Sequence, residues 1–340
     1  MSDHRDLVLQ FIKDHPQTNR KAIAEFVAVH ADQKVSIPTI SRDLEALVVA
    51  GKIVKAGQAR ATTYAAAVDL DAYFSRGPDE RMLVSEYFNF EVWQRLKDLF
   101  SPTELAAIDR LNQTYRKNKT TLSKTLYKKE IERLTIEFSW KSSRIEGNTY
   151  NLLDTERLIR EREEAAGKSK DEAIMILNHK AALDFIFTDP GYFKKISLSK
   201  IEYLHRLLTS GLGVSSGVRQ RQVAILGTKY RPLDNQHQIH EALENLVSVI
   251  NKTAHPLAKA LLAVLMISYI QPFEDGNKRT ARTLGNALLL AFDYCPLSYR
   301  SADENEYKKG IILFYEQNDL SYFKKIFVDQ FKFGVKNYFQ

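Results

Sequence analysis

The residues whose types and spacing best suit chemistry are Ile270-Gln271-Pro272-Phe273-Glu274-Asp275-Gly276-Asn277-Lys278-Arg279-Thr280-Ala281-Arg282. The chain before this string is apolar on most faces and reads as a central helix ended by Pro272, while Asn277 is expected to cap a second helix reaching about Tyr294. A loop between two fixed elements results. Unpaired amides after Gly276 point out of the second helix's N-terminus, where the dipole also favours an anion, so a phosphate suits that place. Gly276 leaves room for a close approach, and Arg279 and Arg282, three apart, share one helix face and can grip further phosphates. Asp275 offers a hard oxygen ligand for magnesium bridging those phosphates, and Phe273 is expected to anchor the loop in the core. A Gly-Asn-Lys-Arg turn alone is an ordinary helix start with a solvated basic face; the whole string is much less common.

Stepping outward, the elements that must hold this loop are helical. From Asp69 onward the pattern is almost entirely helical, broken at Ser101-Pro102, Gly147, Asp189-Pro190-Gly191 and Gly211 to Gly217, with only Val223 to Pro232 extended. Ile131, Leu134, Phe138 and Ile145 form one apolar stripe, on a helix of about residues 128–147 that Gly147 ends. Glu146 then sits in the last turn. A carboxylate at the negative end of a helix dipole is unfavourable by roughly 0.3 to 1 kcal/mol and needs a cation, unless it is simply solvated.

The first 68 residues read differently. Leu7 to Lys13 and Arg20 to His30 carry helical spacing on either side of a His15-Pro16-Gln17-Thr18-Asn19 break, and a third helix follows Ser36 through Ile40, Leu44, Leu47 and Val48 until Gly51. Ile53-Val54-Lys55, a Gly57 turn and Thr62-Thr63-Tyr64-Ala65 read as a hairpin. Three helices and a hairpin make a winged helix-turn-helix, whose third helix would offer Thr39, Ser41 and Arg42 to a DNA major groove. Residues 1–67 hold nine Lys/Arg against seven Asp/Glu, a balance that suits a docking or dimerisation module equally well.

The catalytic-loop string resembles the signature of the Fic, or Fido, family, H-P-F-x-[D/E]-G-N-[G/K]-R-x-x-R, at every fixed position except the first. Ser142-Ser143-Arg144-Ile145-Glu146-Gly147-Asn148 is similar to that family's inhibitory motif, [S/T]-x-x-x-E-[G/N], and Gly217-Val218-Arg219 with Val223-Ala224-Ile225 to the approach to its target-binding flap. The expected fold is mainly α: a winged helix-turn-helix domain at 1–68, then a Fic-like helical core at 69–340 with a β-hairpin flap at about 223–232 and the catalytic loop at 270–282.

The resemblance implies AMP transfer from Mg-ATP to a Ser, Thr or Tyr hydroxyl of a protein, the chain itself among the candidates. Asp275 would bind magnesium. Gly276, Asn277 and Lys278 would hold the α-phosphate, and Arg279 and Arg282 the outer phosphates. Gly227, Thr228, Lys229 and Tyr230 would form the flap that pairs with an extended target segment. Ser142, Glu146 and Gly147 belong to the inhibitory motif, in which Glu146 pairs with Arg282 and displaces the γ-phosphate.

Gln271 departs from the pattern, because the family has a histidine base there and a neutral amide accepts no proton near pH 7. Losing a positioned base costs about 10² to 10⁴ in rate. Three readings stay open: an engineered inactivating substitution; a natural nucleotide-binding regulator acting through DNA or partner binding of the winged helix; or hydrolytic de-AMPylation with Glu146 activating a water that Gln271 orients.

Composition bounds the rest. A 340-residue chain with 44% hydrophobic and 27% charged residues folds into globular domains, and its net charge of +7 weakly favours polyanions. With Cys295 the sole cysteine no intrachain disulfide forms, and neither a leader nor a membrane span is read, so a cytoplasmic location is expected. His237 and His240 lack a third metal ligand and are expected at the surface, and the Tyr/Phe-rich tail at Phe314, Tyr315, Tyr322, Phe323 and Phe327 is expected to pack. A homodimer is left open.

Overall fold

The computed structural model describes residues 3–15, 17–31, 35–56, 62–97 and 99–340. Pro16 and the Gly57 turn lie outside the described residues. The chain divides into two compact units, residues 1–81 and 82–340. The division falls after Arg81, beyond the boundary expected near residue 68. The intervening helix stays with the first unit, where the Arg81 guanidinium lies over the rings of Tyr73 and Phe74.

In the first unit, helices α1 (Asp3–Asp14), α2 (Arg20–His30) and α3 (Ile37–Val49) bring Val8, Ile12, Ile23, Val27, Ile40 and Leu44 into one core. Ser36 caps α3 by accepting from the Thr39 amide. Asp43, buried on α3, accepts from Arg5 Nε at 2.7 Å and so ties α3 to α1. Strands β1 (Thr18–Asn19), β2 (Ile53–Ala56) and β3 (Thr63–Ala66) form an antiparallel sheet in the order β1-β3-β2. The sequence reads β1 as part of a break, because two residues carry no alternation; pairing with β3 makes it a strand, and Asn19 then caps α2. A short helix α4 (Leu70–Phe74) follows.

The second unit is helical. It comprises α5 (Val92–Arg95), α6 (Pro102–Thr121), α7 (Lys124–Ile145), α8 (Leu152–Glu161), α9 (Lys170–Thr188), α10 (Leu198–Thr209), α11 (Gln236–Lys252), α12 (Pro256–Ile270), α13 (Asn277–Ala291), α14 (Glu304–Gln317) and α15 (Ser321–Asn337). Every α12 residue from Leu257 to Ile270 is buried, as its near-continuous apolar sequence requires. No helix among the described residues is long and apolar enough to cross a membrane. Helix α13 packs closely on α12 at Gly285, where an added Cβ would come within 3.0 Å of Val264 Cγ2. Phe314, Tyr315, Phe323 and Phe327 pack inside, leaving no exposed stacking platform at these rings.

Two expectations are corrected. Residues 223–232 make no hairpin ladder: they run extended through a turn at Leu226-Gly227, and their backbone pairs with a neighbouring segment, Arg231 N–H donating to Glu86 O at 2.6 Å. The returning arm is pulled into the core by Tyr230, whose buried hydroxyl donates to Tyr269 O at 2.8 Å, and Pro232 has no amide to give a ladder. Helix α12 stops at Ile270, and Gln271 takes a left-handed conformation at φ 50°. Gly276, also left-handed at φ 77°, takes the position before α13 where Asn277 was expected to cap; Asn277 is the first helical residue.

Candidate active site

The loop 271–276 is held by its own side chains. Asn277 Oδ1 accepts from the Phe273 amide and Nδ2 donates to the Phe273 carbonyl, both at 2.8 Å, closing the turn like a rung. The residue expected to cap a helix thus braces the loop. Phe273 is fully buried as expected, and its ring stacks on His205 with centroids 3.8 Å apart. His205 Nε2–H donates to Asp275 O at 3.0 Å, and burial pushes this imidazole's pKa down to about 4, so it is neutral near pH 7. An added Cβ at Gly276 would sit 2.9 Å from Thr209 Cγ2, so both backbone angle and space demand glycine there.

The two arginines expected at the outer phosphates are already engaged. Arg279, 2% exposed, donates to Asp275 Oδ2 at 2.7 Å and to Leu208 O at 3.2 Å. Arg282 is fully buried and reaches α7: Nη1 to Glu146 Oε1 at 2.8 Å, Nε to Ser142 Oγ at 2.9 Å and Nη2 to Ser142 O at 2.8 Å. Behind Ser142 stands His179, whose Nε2 lies 2.9 Å from Ser142 Oγ and whose Nδ1 lies 2.9 Å from Met175 O. Burial holds His179 down to about 3, so it is neutral, and with Nδ1–H given to the carbonyl its Nε2 accepts the serine proton. Ser142 Oγ is thereby free to accept from Arg282.

Glu146 sits at the α7 C-cap with Gly147 at φ 97° behind it. Burial alone would raise its pKa, but Arg282, with Lys278 and Arg279, holds the carboxyl below the usual glutamate value. Lys278 Nζ is 3.9 Å from the second carboxylate oxygen. The cation that the helix-end argument demanded is present, and a weaker second one accompanies it.

Two adjoining cavities meet at Glu146, Lys278, Ile225 and Leu226. One, about 160 Å³, is polar and reaches Gln271, Asp275, Gly276 and Asn277. The other, about 310 Å³, is mainly apolar and reaches Ile145, Tyr307, Ile311 and Tyr315. Such a pair suits a ligand with a charged end and a flat apolar end. Gln271, 7% exposed, gives its amide Nε2 to Ser268 O at 2.6 Å. The flap arm lining these cavities is Val223 to Leu226. Of the expected flap residues, Gly227 turns over Ile312, Lys229 lies 3.8 Å from Glu86 and Tyr230 is in the core; only Thr228 and Gly227 stay at the turn.

Thr39, Ser41 and Arg42 belong to the other unit. Arg42 is exposed, Thr39 and Ser41 are half-buried, and Thr39 Oγ1 bonds Ser36 Oγ at 2.9 Å. His205, against the loop, and His179, behind Ser142, escape sequence reading, and Arg219 is read only as part of the approach to the flap, not as a partner of the loop. Their partners are mostly backbone carbonyls or residues far along the chain, and neither leaves a periodic trace.

Residues 195–289 match the Fic/DOC family. The chain is 28% identical over 184 residues to protein adenylyltransferase Fic from Nematostella vectensis, covering 53% of this chain and 43% of that protein. It is 32% identical over 166 residues to the enzyme of the same name from Drosophila yakuba, covering 48% and 34%. The chain therefore spans less than half the length of these relatives. Its fold is similar to Fic-1 from C. elegans, with a TM-score of 0.59 and 21% identity over 70% of this chain and 73% of that one. The loop that invites a phosphate, between the two most buried helices of the second unit, thus lies within the residues that match the Fic/DOC family, and the chain is mainly helical around it.

Proposed function

We propose that the second unit is an ATP-binding, Fic-type AMP-transfer site held shut by Glu146 and slowed at Gln271. The observation that carries this reading is the 2.8 Å pair between Glu146 and Arg282, made at the junction of a polar and an apolar cavity. Nucleotide phosphates suit the polar cavity at the α13 N-terminus, and an adenine ring suits the apolar one. The outermost phosphate would have to take Arg282 from Glu146, so the closed form opposes productive ATP binding.

Asp275 suits magnesium: its side chain is 67% exposed at the polar cavity, and this ion takes one or two carboxylates with phosphates and water completing its shell. When bound, magnesium would neutralise phosphate charge. This chain's residues do the rest. Arg279 presents a buried guanidinium beside the phosphate site, the α13 amides receive negative charge developing on the α-phosphate, and residues 223–226 offer backbone to an extended target. A target hydroxyl would attack the α-phosphorus as pyrophosphate leaves, and the hydroxyl proton needs an acceptor. Gln271 is a neutral amide that accepts no proton near pH 7 and is held by one Nε2–H donated to Ser268 O, so the step loses its base and slows by about 10² to 10⁴.

The test is transfer of α-labelled ATP to protein in a cell lysate by the chain itself, Glu146→Gly, and Glu146→Gly with Gln271→His. Label only in the last supports a sound site disabled at one residue. Label with Gln271 in place refutes the proton argument, and none in any of the three refutes the transfer reading. A nucleotide-binding regulator is the second reading, favoured by the first unit having its own core and an exposed α3 start. In that reading residues 1–68 act as a winged helix on DNA or a partner, and fluorescence anisotropy with labelled duplex at two salt concentrations checks it.

A further inference from the structure

The buried guanidinium of Arg219 has no part in the scheme above. It is 3% exposed, and although the charge of Asp234 acts on it, among the described residues no carboxylate forms an ion pair with it. Burying an unpaired charge is costly, so its hydrogen bonds must be good ones. They all go to carbonyls: Nε to Gln271 O at 2.6 Å, Nη1 to Arg221 O at 2.7 Å, and Nη2 to Leu233 O. The Arg219 amide adds a fourth, to Pro272 O at 2.9 Å.

These four carbonyls belong to two places. Arg221 and Leu233 flank the segment 222–232, one where it leaves the core and one where it returns. Gln271 and Pro272 open the phosphate loop, and Gln271 sits at φ 50°, a conformation that a residue with a Cβ keeps only when its surroundings impose it. The planar fork of one arginine therefore spans both roots of the flap and the strained residue of the loop. A lysine, with a point charge and three donors at one atom, does not reproduce that spread.

We infer that Arg219 is a positioning residue that sets the register between the target-presenting flap and the residue at position 271. The inference rests on the AMP-transfer reading for its consequence, although the clasp itself stands on geometry. It acts on where the target hydroxyl lies relative to the α-phosphorus and leaves the nucleotide's own contacts alone, since none of its bonds reaches Asn277, Arg279 or Arg282.

Two measurements test it. In the Glu146→Gly, Gln271→His chain, Arg219→Lys should leave the Kd for Mg-ATP within about twofold, while the self-labelling rate at saturating ATP falls about 10- to 100-fold, the cost of misplacing reactants by about an ångström. A rate within twofold of the parent overturns the inference, and so does a loss of rate matched by an equal loss of ATP affinity, which marks a merely structural arginine. No label in the parent refutes the transfer reading and leaves the clasp to the second measurement. That is native-state hydrogen exchange on the unsubstituted chain, which needs no variant to fold: the hydrogen-bonded amides of Arg219, Arg231 and Phe273 should open together, with one dependence on denaturant. Opening at different free energies overturns the clasp.

Discussion

The loop at 271–276 and the flap both line the polar cavity and are built in opposite ways. In the loop nearly every polar group is spent inside: Asn277 on Phe273, Arg279 on Asp275, Arg282 on Ser142 and Glu146. The flap keeps little for itself. It makes no strand pair of its own, Leu226 at its tip is 97% exposed, and its anchorage lies at Tyr230, Arg231 and Arg219. On the proposed function, the difference follows from what each would meet. A phosphate has fixed charge and size, so its receptor gains from being rigid before the ligand arrives, whereas an extended peptide is recognised by backbone edges that must stay unpaired until it docks.

The sharpest way to break this contrast is at Gln271. With Glu146→Gly in place, Gln271→His should raise label transfer by about 10² to 10⁴, measured as initial rate. A change below tenfold would mean that a rigid loop matters less than supposed. Next in size is Gly276→Ala, which strains a φ of 77° and presses on Thr209; about 1 to 3 kcal/mol of stability should go, read from the urea midpoint with the slope unchanged. An unchanged midpoint would show the loop to be softer than the flap comparison assumes.

A pH experiment probes the buttress behind Arg282. His179 titrates near 6.5 when unfolded and about 3 when folded, so the unfolded chain takes up a proton that the folded one refuses. Stability from this group is complete above pH 6.5 and is lost as pH falls from there towards 3. His179→Gln should flatten the acid side of the stability profile across that window, and urea midpoints at pH 7, 5 and 4 would test it. Profiles that run parallel would remove His179 from the account.

How much of this was legible beforehand depends on the range of each interaction. The loop was readable because Arg279 with Asp275 and Asn277 with Phe273 close over four residues, within reach of spacing arguments. Even so, the role of Asn277 was misassigned, since which residue caps depends on the left-handed turn of Gly276. Glu146 was readable as a carboxylate in need of a cation, but its partner lies 136 residues away and only the resemblance named it. Arg219 was read as part of the flap approach, but its hold on the loop, and His205 altogether, were unreadable because carbonyl acceptors belong to every residue and mark none. The flap misled through its residues: extended propensity at 223–232 is real, but Tyr230 goes to the core and the two arms never pair.

The smallest effect belongs to the flap tip. Leu226→Ser should change stability by less than about 0.5 kcal/mol, as thermal melting would show, while slowing label transfer to protein. A large stability loss would mean that the flap carries structural weight it is not assigned here.

The claim on which the rest depends is that Glu146 holds Arg282 away from a nucleotide. Isothermal titration of Mg-ATP into the chain and into Glu146→Gly tests it most directly. The account predicts saturable heat in the variant with affinity higher by about tenfold or more, within the usual range of coupling between competing sites. Equal affinities would contradict the closure by Glu146, and no heat in either protein at millimolar ATP would contradict the nucleotide site itself.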